Sequence, residues 1–152
     1  MTIVAQIFFG SIVLGICSII HIALLVLAII LFRAMSVTHV TKAPGLWQSL
    51  KLITVGFSFV LLAHTIQVWL WAASFMLLGT FSNFSDAIYF SIVTYTTVGY
   101  GDVTVGGGFR VYGAMAAVTG LLNFGLSTAF LVGLFERLSR GRLPPTTPPA
   151  DR

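Results

Sequence analysis

The chain has 152 residues, 57% of them hydrophobic and only 8% charged, a formal charge of +4 and a mean hydropathy of +1.01. A soluble globular domain carries roughly 25% charged residues, and a disordered chain needs low hydrophobicity with high charge, so both classes are excluded. Enough uncharged chain is present for three membrane spans at roughly 20 residues each, and little is left for a catalytic or ligand-sensing domain.

The first apolar stretch, Met1 to Phe32, has no Asp, Glu, Lys or Arg. It lacks the basic start of a signal peptide and exceeds the roughly 7–15 apolar residues of one, so residues 1–32 are expected to form a retained transmembrane helix. The single cysteine, Cys17, has no partner in the chain and is expected to be buried. Residues 33–51 follow as a basic loop with Arg33, Lys42 and Lys51 and no acid. Pro44-Gly45 signals a turn, and Leu46 to Lys51 suits a short interfacial helix leading into the next span.

The second uncharged stretch runs from Leu52 to Ser85, and the third from Val111 to Phe135. Arg137, Arg140, Arg142 and Arg152 follow the third. Lys and Arg collect on the cytoplasmic side, which puts the loop at 33–51 and the C-terminus inside, and the N-terminus and residues 80–110 outside. An integral protein of the cell (plasma or inner) membrane is expected. Trp47, Trp69 and Trp71 sit near the ends of the second span, where Trp anchors at the interface. Arg137, Arg140 and Arg142 suit anionic lipid headgroups; a nucleic-acid surface is not indicated by so few basic groups flanking spans. The tail at 141–152, with Pro144, Pro145, Pro148 and Pro149, is expected to be extended and disordered.

Residues 80–110 carry most of the functional information. Ser82 or Asn83 suits a helix cap, and Asp86 suits a first turn. Phe84 to Tyr95 is apolar, but twelve helical residues cover only about 18 Å; such a segment reads as a re-entrant helix. Thr96-Thr97-Val98-Gly99-Tyr100-Gly101-Asp102 follows, long enough when extended to climb back out. Irregular backbone at membrane depth must lie in protein or along a watery path. Carbonyls alternate sides in an ordinary strand, and aiming them to one side needs alternating backbone handedness. Positive φ is cheap only for Gly, and Gly99 and Gly101 stand at alternate positions.

On these residues the chain resembles the potassium channel pore-domain family, the simple bacterial potassium channels in particular, over roughly residues 52–140. Thr-Val-Gly-Tyr-Gly loops are that family's filter. The run Asn123-Phe124-Gly125-Leu126-Ser127-Thr128-Ala129, with Gly120 before it, is similar to the family's inner helix. The resemblance implies an all-α membrane protein with a re-entrant pore helix and filter loop, assembling as a homotetrameric channel. The helix at 1–32 lies outside the family's two-span pattern.

The resemblance also implies roles. Carbonyls of Thr97, Val98, Gly99 and Tyr100, with Gly101 after them, would bind K+, and the Thr97 hydroxyl would form the innermost ring. Tyr100 would pack into an aromatic cuff with Tyr89 and Phe90, and Thr96 would mark the end of the pore helix. Asp102 would attract cations at the mouth. Some relatives pair this Asp with a Glu on the pore helix; Val93 stands there, leaving the Tyr89 hydroxyl as the donor on offer. Gly120 and Gly125 would serve as hinge or as packing positions. Thr128 would line the cavity and Asn123 would contact neighbouring helices, with Phe124 between them.

His21 and His64 each lie about 17 Å from the cytoplasmic end of their helices at 1.5 Å per residue. Equal depth allows an interhelical pair that responds to acid; the alternative is two neutral side chains, each satisfied by a backbone group or hydroxyl. The function expected is passive, K+-selective conduction with K+ as permeant ion and no cofactor. The alternatives are a potassium transporter subunit, which carries four degenerate filter loops in one long chain, and a non-conducting adaptor subunit, whose filter should have degenerated. Enzymatic chemistry is not indicated, since no nucleophile–base pair or metal-ligand cluster is visible.

Overall fold

A computed structural model describes residues 1–36 and 45–140. Among them the chain forms four long helices and no strand: α1 (Ile3–Ser36), α2 (Leu46–Leu77), α3 (Phe84–Tyr95) and α4 (Arg110–Arg140), with one 3-10 turn at Gly107–Phe109 before α4. Three of them, α1, α2 and α4, are long and apolar enough to cross a bilayer. This is an all-α membrane protein.

The end of the first helix and the start of the second extend past the limits expected from charge. α1 occupies Ile3–Ser36 rather than ending at residue 32. Leu46 to Lys51 is the start of α2, continuous with the span, and not a separate interfacial helix. At 1.5 Å per residue α2 is about 48 Å long, against a hydrocarbon core of about 30 Å. Its first turns therefore extend into the headgroup region, where Lys51 meets no penalty. Lys42 and Pro44, and the tail with Arg142, lie outside the described residues.

The end of α2 is set by its own sequence. Gly79 adopts φ +66, its N–H bonds to the Met76 carbonyl, and the Thr80 N–H bonds to the Phe75 carbonyl. This paired closure satisfies the last carbonyls of a helix and needs the left-handed residue that Gly supplies. Asn83 then caps α3: its side chain accepts from the Asp86 N–H at 2.8 Å and donates to the Asp86 carboxylate at 2.7 Å. Of the two candidate caps, Asn83 takes the position, and α3 begins at Phe84.

α1 packs on α2 and α4. Gln6 of α1 meets the first turn of α4, His21 meets Ser127, and Phe32 stacks on Phe130. These pairings advance together along both helices, so α1 and α4 run parallel, and α2 runs against them. Arg33, Lys51 and Arg137 therefore share one end of the bundle, and Asp86 and Asp102 the other. The interior is layered. Toward the acidic end lie Cys17, Trp71, Phe75, Phe90, Tyr95 and Tyr112. Toward the basic end lie Ala28, Phe32, Leu52, Leu134 and Leu138. A belt of polar side chains separates them.

Trp71 departs from its expected role. Trp69 is 58% exposed, but Trp71 is fully buried, with its ring against Phe75 and Tyr112 at centroid distances of 5.7 and 5.3 Å. Two residues on in a helix is a turn of about 200°, so only one of the pair faces lipid.

Candidate functional site: the re-entrant loop and its supports

α3 is held between α2 and α4. The Ser91 hydroxyl donates to the Val68 carbonyl at 2.7 Å, and Phe90 packs on Phe75 and Phe81 at 5.1 and 5.3 Å. At its C-terminal end the Tyr95 carbonyl lies directly on Gly120 of α4; any Cβ at 120 would overlap it. Gly120 is thus a close-approach glycine, and packing describes it. Gly125 has open space where its Cβ would be.

From Thr96 the chain leaves the helix. The Thr96 hydroxyl returns to the Ile92 carbonyl at 2.7 Å. The Thr97 N–H bonds to the Thr94 carbonyl, and the N–H groups of Val98 and Gly99 both bond to the Val93 carbonyl at 3.0 and 3.2 Å. So Val93, where a carboxyl is absent, contributes through its backbone and a buried side chain.

Positive φ recurs at Thr97 (+62), Gly99 (+58) and Gly101 (+79), and at neither Val98 nor Tyr100. The alternation extends one step further than the glycines announced. Thr97 resists this conformation at a cost of about 1–3 kcal/mol, which its bond to Thr94 helps to hold. The N–H groups of residues 97–99 are directed back to α3. Among the described residues no hydrogen bond is accepted by the carbonyls of Thr97, Val98, Gly99 or Tyr100. The loop therefore presents unspent carbonyl dipoles along an exposed edge.

At the outer end of the loop the Tyr89 hydroxyl donates to Asp102 at 2.6 Å, and the Val103 N–H donates to the other carboxylate oxygen at 3.0 Å. The bond from Tyr89 lowers the Asp102 pKa from its ordinary value, and the same bond raises that of the Tyr89 hydroxyl. The Tyr89 bond thus favours the ionised form of Asp102. Tyr100 is 72% exposed in the single chain. No ring contact joins it to Tyr89 or Phe90 among the described residues, because Phe90 is turned inward to Phe75. The expected cuff is not assembled within the single chain.

On α4, Asn123 is buried and donates to the Gln67 side chain at 2.7 Å and to the Thr119 carbonyl at 3.0 Å. Thr128 is exposed on the single chain, and its hydroxyl returns to the Phe124 carbonyl at 2.9 Å. The Phe124 ring lies 4.5 Å from that of His64.

His21 and His64 are brought together, with ring centroids 5.0 Å apart. They do not bond to each other. Each reaches the Ser127 hydroxyl, at 3.0 and 2.9 Å. His64 also meets the Tyr95 hydroxyl at 2.8 Å, and His21 meets the Gln67 amide at 2.8 Å. Gln67, Ser127 and the Tyr95 hydroxyl were not singled out from sequence. Their signal was there in the spacing: Gln67 follows His64 by three, and Ser127 follows Asn123 by four, which places each pair on one helix face. Gln6 was also missed. Its side-chain oxygen accepts from the N–H groups of Val111 and Tyr112 at 3.0 and 3.2 Å, so α1 caps the N-terminus of α4.

The chain is similar in sequence to known channel proteins. The ion channel family profile matches residues 55–137, so the chain belongs to that family. The ferret (Mustela putorius furo) protein named potassium voltage-gated channel subfamily A member 5 is 43% identical over 59 residues, 37% of this chain and 10% of that relative. Its human (Homo sapiens) namesake is 41% identical over 59 residues, 37% of this chain and 9% of the relative. Human subfamily A member 4 is 40% identical with the same coverage, 37% and 9%. The chain spans about a tenth of the length of these curated relatives. No solved structure matches.

Proposed function

We propose that the chain is one subunit of a homotetrameric channel that passes K+ down its gradient. The observation that carries this reading is the alternation of positive φ at Thr97, Gly99 and Gly101 with the carbonyls of residues 97–100 unspent. Four such edges around an axis would offer stacked rings of oxygen in place of the hydration shell of K+. One chain supplies one edge, so assembly is part of the function. The Thr97 hydroxyl forms the innermost ring, and Asp102, held ionised by Tyr89, draws cations to the mouth. Thr128 faces the cavity below. Tyr100 finds its aromatic neighbours on the next subunit, and K+ is cargo, with no cofactor required.

Arg33, Lys51 and Arg137 share one end of the bundle, which supports an orientation with that end in the cytoplasm. The N-terminus is then outside and the C-terminus inside, in the cell membrane, with Arg137, Arg140 and Arg142 at anionic headgroups. The intact alternation does not favour a degenerate transporter loop or a non-conducting adaptor.

Purified protein in lipid vesicles tests the reading. Flux should be carried by K+ in clear preference to Na+, and crosslinking in mild detergent should stop at a tetramer. Equal permeation of the two ions would overturn selectivity, and a terminal dimer would overturn the fourfold filter.

A further inference from the structure

The polar belt between the two apolar layers is a closed ring. Five hydrogen bonds join Gln67 to His21, His21 to Ser127, Ser127 to His64, His64 to Tyr95, and Tyr95 back to Gln67. The members come from all four helices: His21 from α1, His64 and Gln67 from α2, Tyr95 from α3 and Ser127 from α4. His21 and Gln67 are wholly buried, and Tyr95 and Ser127 nearly so.

The direction of every bond in this ring is fixed from two points outside it. The Gln67 amide nitrogen faces the Ala63 carbonyl at 3.2 Å, and the Asn123 amide nitrogen faces the Thr119 carbonyl at 3.0 Å. Reversing either amide would set oxygen against oxygen. With both nitrogens placed, the Gln67 oxygen accepts from Asn123 and from the Tyr95 hydroxyl. Tyr95 has a single proton, spent on Gln67, so it can only accept from His64. His64 must then carry its proton on Nδ1 and accept at Nε2. Ser127 donates there, and its oxygen is left to accept from His21. His21 carries its proton on Nε2, and its Nδ1 accepts from the Gln67 amide. Each proton is used once, both imidazoles are neutral, and the two histidines are opposite tautomers.

We propose that His21 is a positioning residue for the filter, acting through this ring on Tyr95. Tyr95 ends the pore helix, and its carbonyl is pressed on Gly120 while its hydroxyl is held by His64 and Gln67. The filter begins two residues later. Interhelical hydrogen bonds in membranes are individually weak, and a closed ring of them constrains geometry as well as adhesion. Its consequence is orientation: the pore helix has a single rotation that satisfies every proton. The added first helix is thereby a part of the pore's foundation and not only cladding. This inference about the filter rests on the proposed channel function; the ring itself does not.

The test has two arms on the full-length protein in lipid. Nitrogen-15 NMR of labelled histidine, with His39→Gln to remove the third imidazole, reads the tautomers. His21 should be protonated at Nε2 and His64 at Nδ1; the same tautomer at both positions would overturn the ring. The second arm measures K+ over Na+ flux. Tyr95→Phe keeps the ring volume and cuts the link, and His21→Leu cuts it from α1. Each should lower the flux ratio about threefold to tenfold, with the tetramer intact. His21→Gln, whose amide supplies a donor nitrogen for Ser127 and an acceptor oxygen for Gln67, should recover most of the loss. An unchanged ratio in Tyr95→Phe would overturn the positioning role. A parent that does not discriminate the two ions would overturn the channel reading, while opposite tautomers in that sample would still establish the ring.

Discussion

The loop from Thr96 to Asp102 and the belt around His21 both place polar groups at membrane depth, and they meet the cost of doing so in opposite ways. The belt spends every proton inside the single chain. The loop turns its N–H groups back to its own helix and leaves its carbonyls without partners among the described residues. A buried polar group lacking a hydrogen bond is costly; the belt uses all its protons and leaves only the Asn123 Oδ1 without a partner among the described residues, whereas the loop carbonyls lie on an exposed stretch. The difference separates the two regions: the belt is closed on its own side chains, and the loop keeps a row of carbonyls open to a further partner.

The largest break in that contrast should come from Gly99→Ala. Nothing lies within 4 Å of a Cβ there, so the effect is not a clash. At φ +58 the alanine resists the left-handed backbone at a cost of about 1–2 kcal/mol, strain added to that which Thr97 already carries in the same loop. K+ flux in vesicles should vanish while the tetramer still forms on crosslinking.

Gly120→Ala attacks the support instead. Its Cβ would overlap the Tyr95 carbonyl, which is backbone and cannot yield without moving α3. Overpacking of this kind costs about 1–3 kcal/mol, and thermal unfolding in detergent should fall accordingly. Gly125→Ala, into open space, is the control and should leave unfolding nearly unchanged.

Gln6→Ala removes the side chain that caps α4. Loss of a cap costs about 1 kcal/mol, so a smaller drop in unfolding temperature is expected, with faster amide exchange at Val111 and Tyr112 as the local signature.

The smallest expected effect is a shift in acid sensitivity. The Tyr89 hydroxyl holds Asp102 below its ordinary pKa, so the bond favours the ionised form. Its contribution is present above about pH 3.9, the ordinary carboxylate value, and is lost as pH falls through the depressed one. In Tyr89→Phe, Asp102 should titrate nearer its ordinary value, so flux should begin to fall at a higher pH than in the parent. Identical acid limbs would show that Asp102 does not depend on Tyr89.

Much of this architecture is legible in the sequence. Uncharged stretches give the spans, Asn83 and Asp86 start the pore helix at the residue observed, and the two glycines announce alternating backbone. What escaped has a common cause. Thr97 adopts positive φ because its neighbours hold it there, against the preference of its own side chain. Trp71 is buried and Trp69 exposed because the rotation of α2 is fixed by its partners. Gln6, Gln67 and Ser127 gain meaning only once the register between helices is known, and a single stretch of sequence does not encode register. His21 and His64 were legible as a pair by depth, but the hydroxyl that joins them was not.

The central claim is that the carbonyls of residues 97–100 from four subunits bind a dehydrated monovalent cation. Crystals grown with Tl+ in place of K+ test it most directly, through anomalous scattering. The account predicts a row of Tl+ peaks on a fourfold axis, spaced between successive carbonyl rings from Thr97 to Tyr100. Four loops around an axis with no Tl+ between them, or loops whose carbonyls face away from it, would contradict the account.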